Sequence, residues 1–211
     1  MKVGVVDYGV GNLGSVARAL EELRARPVLI DHVSDIAMAD SLILPGVGGF
    51  KECKALLDAA GWTEALREAA LVRDTPLLGI CLGMQLLADF GMEGASDAAG
   101  TPGLGLIPGQ VQSLISLGCA ARIPHMGWNS VSWYPPSTLL SGIPSGTDFY
   151  FVHSYAFVAE DPGNIIAVTD HGIPVTAVIG KGRIWGTQFH PEKSSRAGLR
   201  VLRNFIEGAS C

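Results

Sequence analysis

Three side chains in this 211-residue sequence have the types and spacing needed for acyl transfer. Cys81 closes the apolar run of "PLLGICLGMQLL", Pro76 to Leu87, between Gly79 and Gly83. Glycines flanking a reactive residue at a strand-to-helix turn make room for an elbow that holds a nucleophile on a strained backbone. Free N–H groups at the start of the following helix favour a thiolate. The N–H of the next residue, Leu82, faces the place where an oxyanion would form. The other reading of Cys81 is a small hydrophobe ending a buried strand, and this segment alone does not separate the two. A nucleophilic thiol needs a base, and the base needs an orienter. Of the five histidines, only His190 has a carboxylate two residues on, Glu192 beyond Pro191 in "TQFHPEKS". On an extended chain these two side chains face the same way, so Glu192 accepts from one ring nitrogen while the other faces the thiol. A chance surface pair is the alternative, but the apolar run "RIWGTQF" would carry this one to a sheet edge.

The elements that must position these groups are legible as periodicities. "KVGVVDY", "PVLID", "SLILPG" and "PLLGI" read as buried strands, and Leu13, Val16, Ala17, Leu20 and Leu23 share a helical face. A second helical stretch, "ECKALLDAAGWTEALREAALVRD", breaks at Gly61, and "GMQLLADF" reads as a further helix. Continuous apolar strands separated by helices imply a parallel sheet covered on both faces. From about Gly103 the pattern changes to short strands, "GLGLIPGQVQSLI", "WNSVSWY", "DFYFVHSYAFV", "NIIAVTD", "PVTAVIG" and "RIWGTQFH". A helix from about Ser195 to Glu207 follows. The expectation is an α/β three-layer sandwich with a mixed, mainly parallel central sheet plus added antiparallel strands, as a single domain over 1–211. "FGMEGASDAAGTPGLG" reads as a mobile loop, and no phosphate-binding glycine motif follows a strand.

Composition narrows the function further. With 48% hydrophobic and 17% charged residues the chain can bury one good-sized core. Its net charge of −5 and the lack of a basic block argue against nucleic acid. No apolar stretch reaches the roughly 20 residues that cross a bilayer, and the first residues lack a signal peptide's continuous apolar core. Cys53, Cys81, Cys119 and Cys211 are scattered without CxxC pairs, so neither a disulfide framework nor a zinc site is expected, and a reducing cytoplasm fits.

"GICLGMQ", followed more than a hundred residues later by "FHPEKS", resembles the triad-type (class I) glutamine amidotransferases. The resemblance implies a flavodoxin-like core in which Cys81, His190 and Glu192 hydrolyse the side-chain amide of glutamine through a thioester. It implies no metal or organic cofactor. "LILPGVGGF" is similar to the family's oxyanion segment, implying Val47 as second donor beside Leu82, with Gly46 giving the substrate close access. Gln85, one turn past the nucleophile, and His153, Ser154 and Tyr155 of "FVHSYAF" are implied to hold the amino acid. Within the family, "VVDYGVGNLGSV", "LPGVGGF", "PHMGWN" and "HPEKS", in that order from Lys2 to about Ile206, resemble the glutaminase subunits of imidazole glycerol phosphate synthases. Gly49 and Thr187 are conservative departures. A separate (β/α)₈-barrel cyclase subunit is then the implied partner in a heterodimer, since such a barrel alone needs about 250 residues. Asn12, Trp128 and Lys193 are placed on the docking face or the route between subunits, although Trp128 is equally readable as core. Rivals are an amidotransferase subunit of another synthase (anthranilate, aminodeoxychorismate or pyridoxal phosphate), a catalytically silent regulator, and a γ-glutamyl hydrolase.

Overall fold

Apolar runs without polar alternation form the strands that carry the site. The computed structural model describes residues 1–133 and 136–209. β1 (Lys2–Val6), α1 (Leu13–Glu22), β2 (Arg26–Ile30) and β3 (Ser41–Gly46) build the first βαβ turns. α2 (Phe50–Ala59) and α3 (Trp62–Leu71) follow, separated by Gly61 at φ +76, and β4 (Leu77–Cys81) leads into α4 (Leu82–Gln85). Every residue of β3 and β4 is buried. Leu42, Leu44 and Leu77 join the core of Phe50, Leu57, Trp62 and Leu66, whereas Ile43, Leu78 and Ile80 join that of Val16, Leu20, Val201 and Phe205. Alternation between two cores, each closed by helices, is the physical content of the expected three layers.

The second half is built from β5 (Phe90–Gly91), β6 (Thr101–Pro102), β7 (Gly109–Ser113), β8 (His125–Ser132), β9 (Thr147–His153) and β10 (Tyr155–Ala159). β11 (Ile165–Asp170), β12 (Pro174–Lys181), β13 (Ile184–Thr187) and α5 (Ser195–Gly208) complete it. The large sheet has the order β2-β1-β3-β4-β13-β12-β11-β8-β9. Its first five strands pair in parallel, and the remaining four are added antiparallel. A smaller sheet, β10-β7-β5-β6, lies beside it.

Four expectations are corrected. The helix over Gly83–Phe90 ends at Gln85, because the carbonyls of Leu86, Leu87 and Ala88 accept from Leu104, Gly105, Leu106 and Ile107 rather than from a further helical turn. "DFYFVHSYAFV" is two strands in different sheets, parted at Ser154. The stretch read as a mobile loop contains the paired strands β5 and β6. β8 starts at His125, upstream of the expected Trp128; Tyr134, at the end of that reading, lies outside the described residues, as do 135, 210 and 211.

The elbow tolerates no side chain at Gly83, where a Cβ would run into the Leu44 carbonyl of β3. Gly83→Ala should therefore lower the urea unfolding free energy by about 1–3 kcal/mol, the usual cost of overpacking. Gly208→Ala, with open space around it, should cost nothing. Equal midpoints for the two variants would refute the contact.

Candidate active site

The site lies at the carboxyl edge of the parallel strands, where loops leave the sheet and ligands of such folds collect. Cys81, last residue of β4, has φ 54 and ψ −111, a conformation that costs a side-chain-bearing residue of order 1–3 kcal/mol. Both flanking glycines are explained by packing. A Cβ on Gly79 would lie 2.7 Å from the Met84 nitrogen, and one on Gly83 would strike β3. Cys81 as a whole is 7% exposed, and its S–H donates weakly to the Val152 carbonyl at 3.8 Å.

His190 and Glu192 meet behind it. Nδ1 of His190 lies 2.8 Å from Glu192 Oε1, with the side chains only 3% and 1% exposed. The pair is not on an extended strand as expected: β13 stops at Thr187, and Pro191–Lys193 forms a 3₁₀ turn. That turn is anchored by His190 N–H donating to Tyr150 O and Ser194 Oγ donating to His190 O. With Nδ1 donating to the carboxylate, Nε2 is left as the acceptor, and it is buried without a hydrogen-bond partner. Burial alone would lower the pKa of His190; the Cys81 sulfur and the Glu192 carboxylate outweigh it and push the value up to about 9. The rise comes from facing the sulfur and the carboxylate, so once the ring has taken the thiol proton it holds it as an imidazolium against the charged sulfur.

A cavity of about 210 Å³ opens over the sulfur, lined by Val47, Gly48, Cys81, Leu82, Gln85, Glu93, Val152, His153, Ser154, Tyr155, His190 and Lys193. Seven of the residues expected from sequence beyond the triad therefore converge here: Val47, Leu82, Gln85, His153, Ser154, Tyr155 and Lys193. Gly46 does not line the cavity. A Cβ there would meet Gly83 N at 2.8 Å, Tyr8 Oη at 2.9 Å and Leu82 Cβ at 3.0 Å, so this glycine admits the elbow rather than the substrate. Asn12 lies outside the cavity, its carbonyl opening α1 by accepting from Ser15 and Val16. Trp128 is 53% exposed and so is not core; its ring stands edge-on to Tyr150, and Lys193 Nζ lies 5.9 Å from the centroid of the same Tyr150 ring. Glu93 and Gln188 were not foreseen. Glu93, the only carboxylate among the lining residues, accepts from Phe50 N–H at 2.9 Å, and burial pushes its pKa up. No local pattern marks it, since its partner is 43 residues away.

His153 is placed as expected, but its ring is already committed. The Tyr155 carbonyl can only accept, so His153 Nδ1 donates to it at 2.8 Å. His153 Nε2 must then accept from His125 Nδ1 at 2.9 Å, and His125 Nε2 from Asn129 Nδ2 at 3.1 Å. Only the backbone of His153 remains for a ligand. Burial pushes His125 down to about 4 and His153 down to about 3, in the second case against the hydrogen bond to Tyr155.

These folded values lie below that of an unfolded histidine, about 6.5. Their contribution to stability is thus complete above pH 6.5 and is lost as the pH falls, because only the unfolded state takes up the protons. The melting temperature should drop steadily from pH 7 to pH 5, less steeply in His125→Gln; a flat profile in the native chain would contradict the neutral pair. His190 has the opposite sign, its contribution being full below 6.5 and lost as the pH rises toward 9.

Comparison with known proteins identifies the family. The family model for class-I glutamine amidotransferases matches residues 4–209. The imidazole glycerol phosphate synthase subunit HisH of Rhodospirillum rubrum is 48% identical, over 99% of this chain and 100% of its own length. The same subunit of Moorella thermoacetica is 46% identical, over 97% and 94%. Among solved structures, a glutamine amidotransferase superposes with a TM-score of 0.77 at 20% identity, covering 99% of both chains, and PurLQS from Thermotoga maritima with 0.72 at 19%, covering 98% of both. These last two likenesses establish the fold. The chain belongs to the class-I glutamine amidotransferase family and, within it, to the HisH subunits of imidazole glycerol phosphate synthase.

Proposed function

We propose that this chain hydrolyses glutamine to glutamate and ammonia for histidine biosynthesis, with Cys81, His190 and Glu192 as the catalytic triad. The observation that carries the triad is the buried, unpartnered Nε2 of His190, oriented from behind by Glu192 and set beside a thiol on a strained elbow. His190 takes the Cys81 proton, and the sulfur attacks the amide carbon. The oxyanion is met by the N–H groups of Leu82 and Val47, whose residues line the same cavity as the sulfur. The imidazolium then protonates the leaving amine, ammonia departs, and a thioester remains on Cys81. Water deprotonated by the same imidazole attacks the thioester and releases glutamate. Glu93 suits the α-ammonium of the substrate, and Lys193 at the opposite charge suits its α-carboxylate or a partner's carboxylate. Acyl transfer of this kind uses only nucleophile, base and oxyanion donors, so no cofactor is invoked.

The relatives' name makes each of them a subunit of a synthase. We read the partner here as a (β/α)₈-barrel cyclase bound over the cavity mouth, which uses the ammonia to make imidazole glycerol phosphate and an aminoimidazole carboxamide ribotide. The exposed ridge of Met126, Trp128 and Lys193, with Asn12 as a further contact, is the surface we assign to it. The chain acts as one domain, and we place it in the cytoplasm.

Cys81→Ser should remove nearly all glutaminase activity while leaving the fold intact; residual turnover above about a tenth of the native rate would overturn the nucleophile. Glu192→Gln should cost less in kcat than His190→Ala, since the base remains in place. The reverse order would exchange their roles. Lys193→Glu should weaken association with a barrel cyclase, measured by titration calorimetry, more than Lys181→Glu, an exposed lysine at the end of β12. Equal losses would remove Lys193 from the interface.

A further inference from the structure

We infer that Gln188 is a positioning residue for the Cys81 sulfur, held in register by Gln85; this deepens the glutaminase reading and rests on it for its kinetic arm. Gln188 is wholly buried two residues before His190, and its Nε2 lies 3.7 Å from Cys81 Sγ, donating to it. Which end of a buried amide faces a neighbour is decided by its other contacts. The Tyr155 carbonyl is an acceptor only, so the group Gln85 places against it at 3.0 Å must be Nε2. The same Nε2 donates to Gln188 at 3.0 Å, so Gln188 must present Oε1 there. Its –NH₂ is then left facing the sulfur, because a flipped amide would set donor against donor. The orientation is thus imposed by a main-chain carbonyl through two side chains.

A donor at that place does what neither His190 nor the elbow does. The resting S–H points at the Val152 carbonyl, and the proton must swing toward His190 Nε2 before it can leave. An N–H on the sulfur holds the side chain in place during that swing and strengthens as negative charge builds on it, since hydrogen bonds to charged acceptors are about twice as strong as neutral ones. Gln85 also lines the cavity, so a bound amino acid touching it bears on the same pair of amides.

The test has a kinetic and a chemical arm. In Gln188→Met, which keeps the length without the donor, kcat for glutamine in the complex with a barrel cyclase should fall about tenfold or more, while KM changes by no more than about twofold. Alkylation of Cys81 in the full chain by iodoacetamide at pH 7, followed on its own peptide by mass spectrometry, should slow by a similar factor. Gln188→Glu, of the same shape, keeps the acceptor for Gln85 but sets an anion beside the sulfur, and alkylation should be slower still. The other ionisable groups around the thiol and cavity, His190 with Glu192 behind it, Tyr8, His153, Glu93 and Lys193, are the same in every variant, so the difference reads the amide. Native kcat and native alkylation in Gln188→Met, or a raised KM with kcat kept, would make Gln188 a core filler and overturn the proposal. If Gln188→Met does not fold, Gln188→Glu decides alone, and alkylation at the native rate overturns it. A native chain that turns over no glutamine would sink the glutaminase reading while leaving the alkylation arm to decide on Gln188.

Discussion

The site hangs on one backbone contact, Gly83 lying against the Leu44 carbonyl. Because Gly83 has no Cβ and meets only the main chain of Leu44, α4 sits directly on β3, and the in-register pairing of Gly46 with Cys81 sets the proposed oxyanion segment level with the proposed nucleophile. The strained φ of Cys81 is tolerable only because β3 and β4 are locked between two cores and cannot relax away from it. His190 reaches the same level by a separate route. β13 pairs with β4 in parallel, and the chain beyond it is caught by Tyr150 and Ser194. Two independently anchored segments thus meet at the sulfur, which gives the proposed triad a geometry that no single loop could hold.

What the sequence disclosed follows from how far each interaction reaches along the chain. The elbow was legible because Gly79, Cys81 and Gly83 act within five residues, and the His190–Glu192 pair because its members are two apart. Even there the backbone was misread, since the 3₁₀ turn at Pro191 is fixed by contacts with α5's entry and β9 rather than by local propensity. The short α4 was illegible for the same reason: the carbonyls just beyond it, those of Leu86, Leu87 and Ala88, are claimed by residues 104–107, and helical periodicity in "GMQLLADF" carries no trace of that. Glu93 and Gln188 could not be singled out, their partners being 43 and 107 residues away. Gly46 was given the right neighbourhood and the wrong neighbour, because a glycine signals a close approach without saying whose.

The exposed ridge beside the cavity is connected to its interior. Trp128 stands on the solvent side of β8, while Asn129, next along, begins the file of hydrogen bonds through His125 and His153 to the Tyr155 carbonyl that also orders Gln85. Each imidazole has one donor and one acceptor role already fixed, so the file has a single direction. A shift of β8 would therefore be felt at the amides beside the sulfur as a displacement rather than as a change of protonation.

Of the imidazoles packed around this cavity and its wall, those of His125 and His153 have been withdrawn from acid–base chemistry by burial and by the file of hydrogen bonds that engages both their nitrogens. That makes the wall an electrical insulator. Glutamine brings a carboxylate, an ammonium and a neutral amide into a small space, and any imidazole that gained a proton there would redraw the field that holds all three. In the mechanism proposed here, with His125 and His153 silent, the proton traffic beside the substrate runs through His190, and the grip on the amino acid's backbone stays constant while its side chain is being cut.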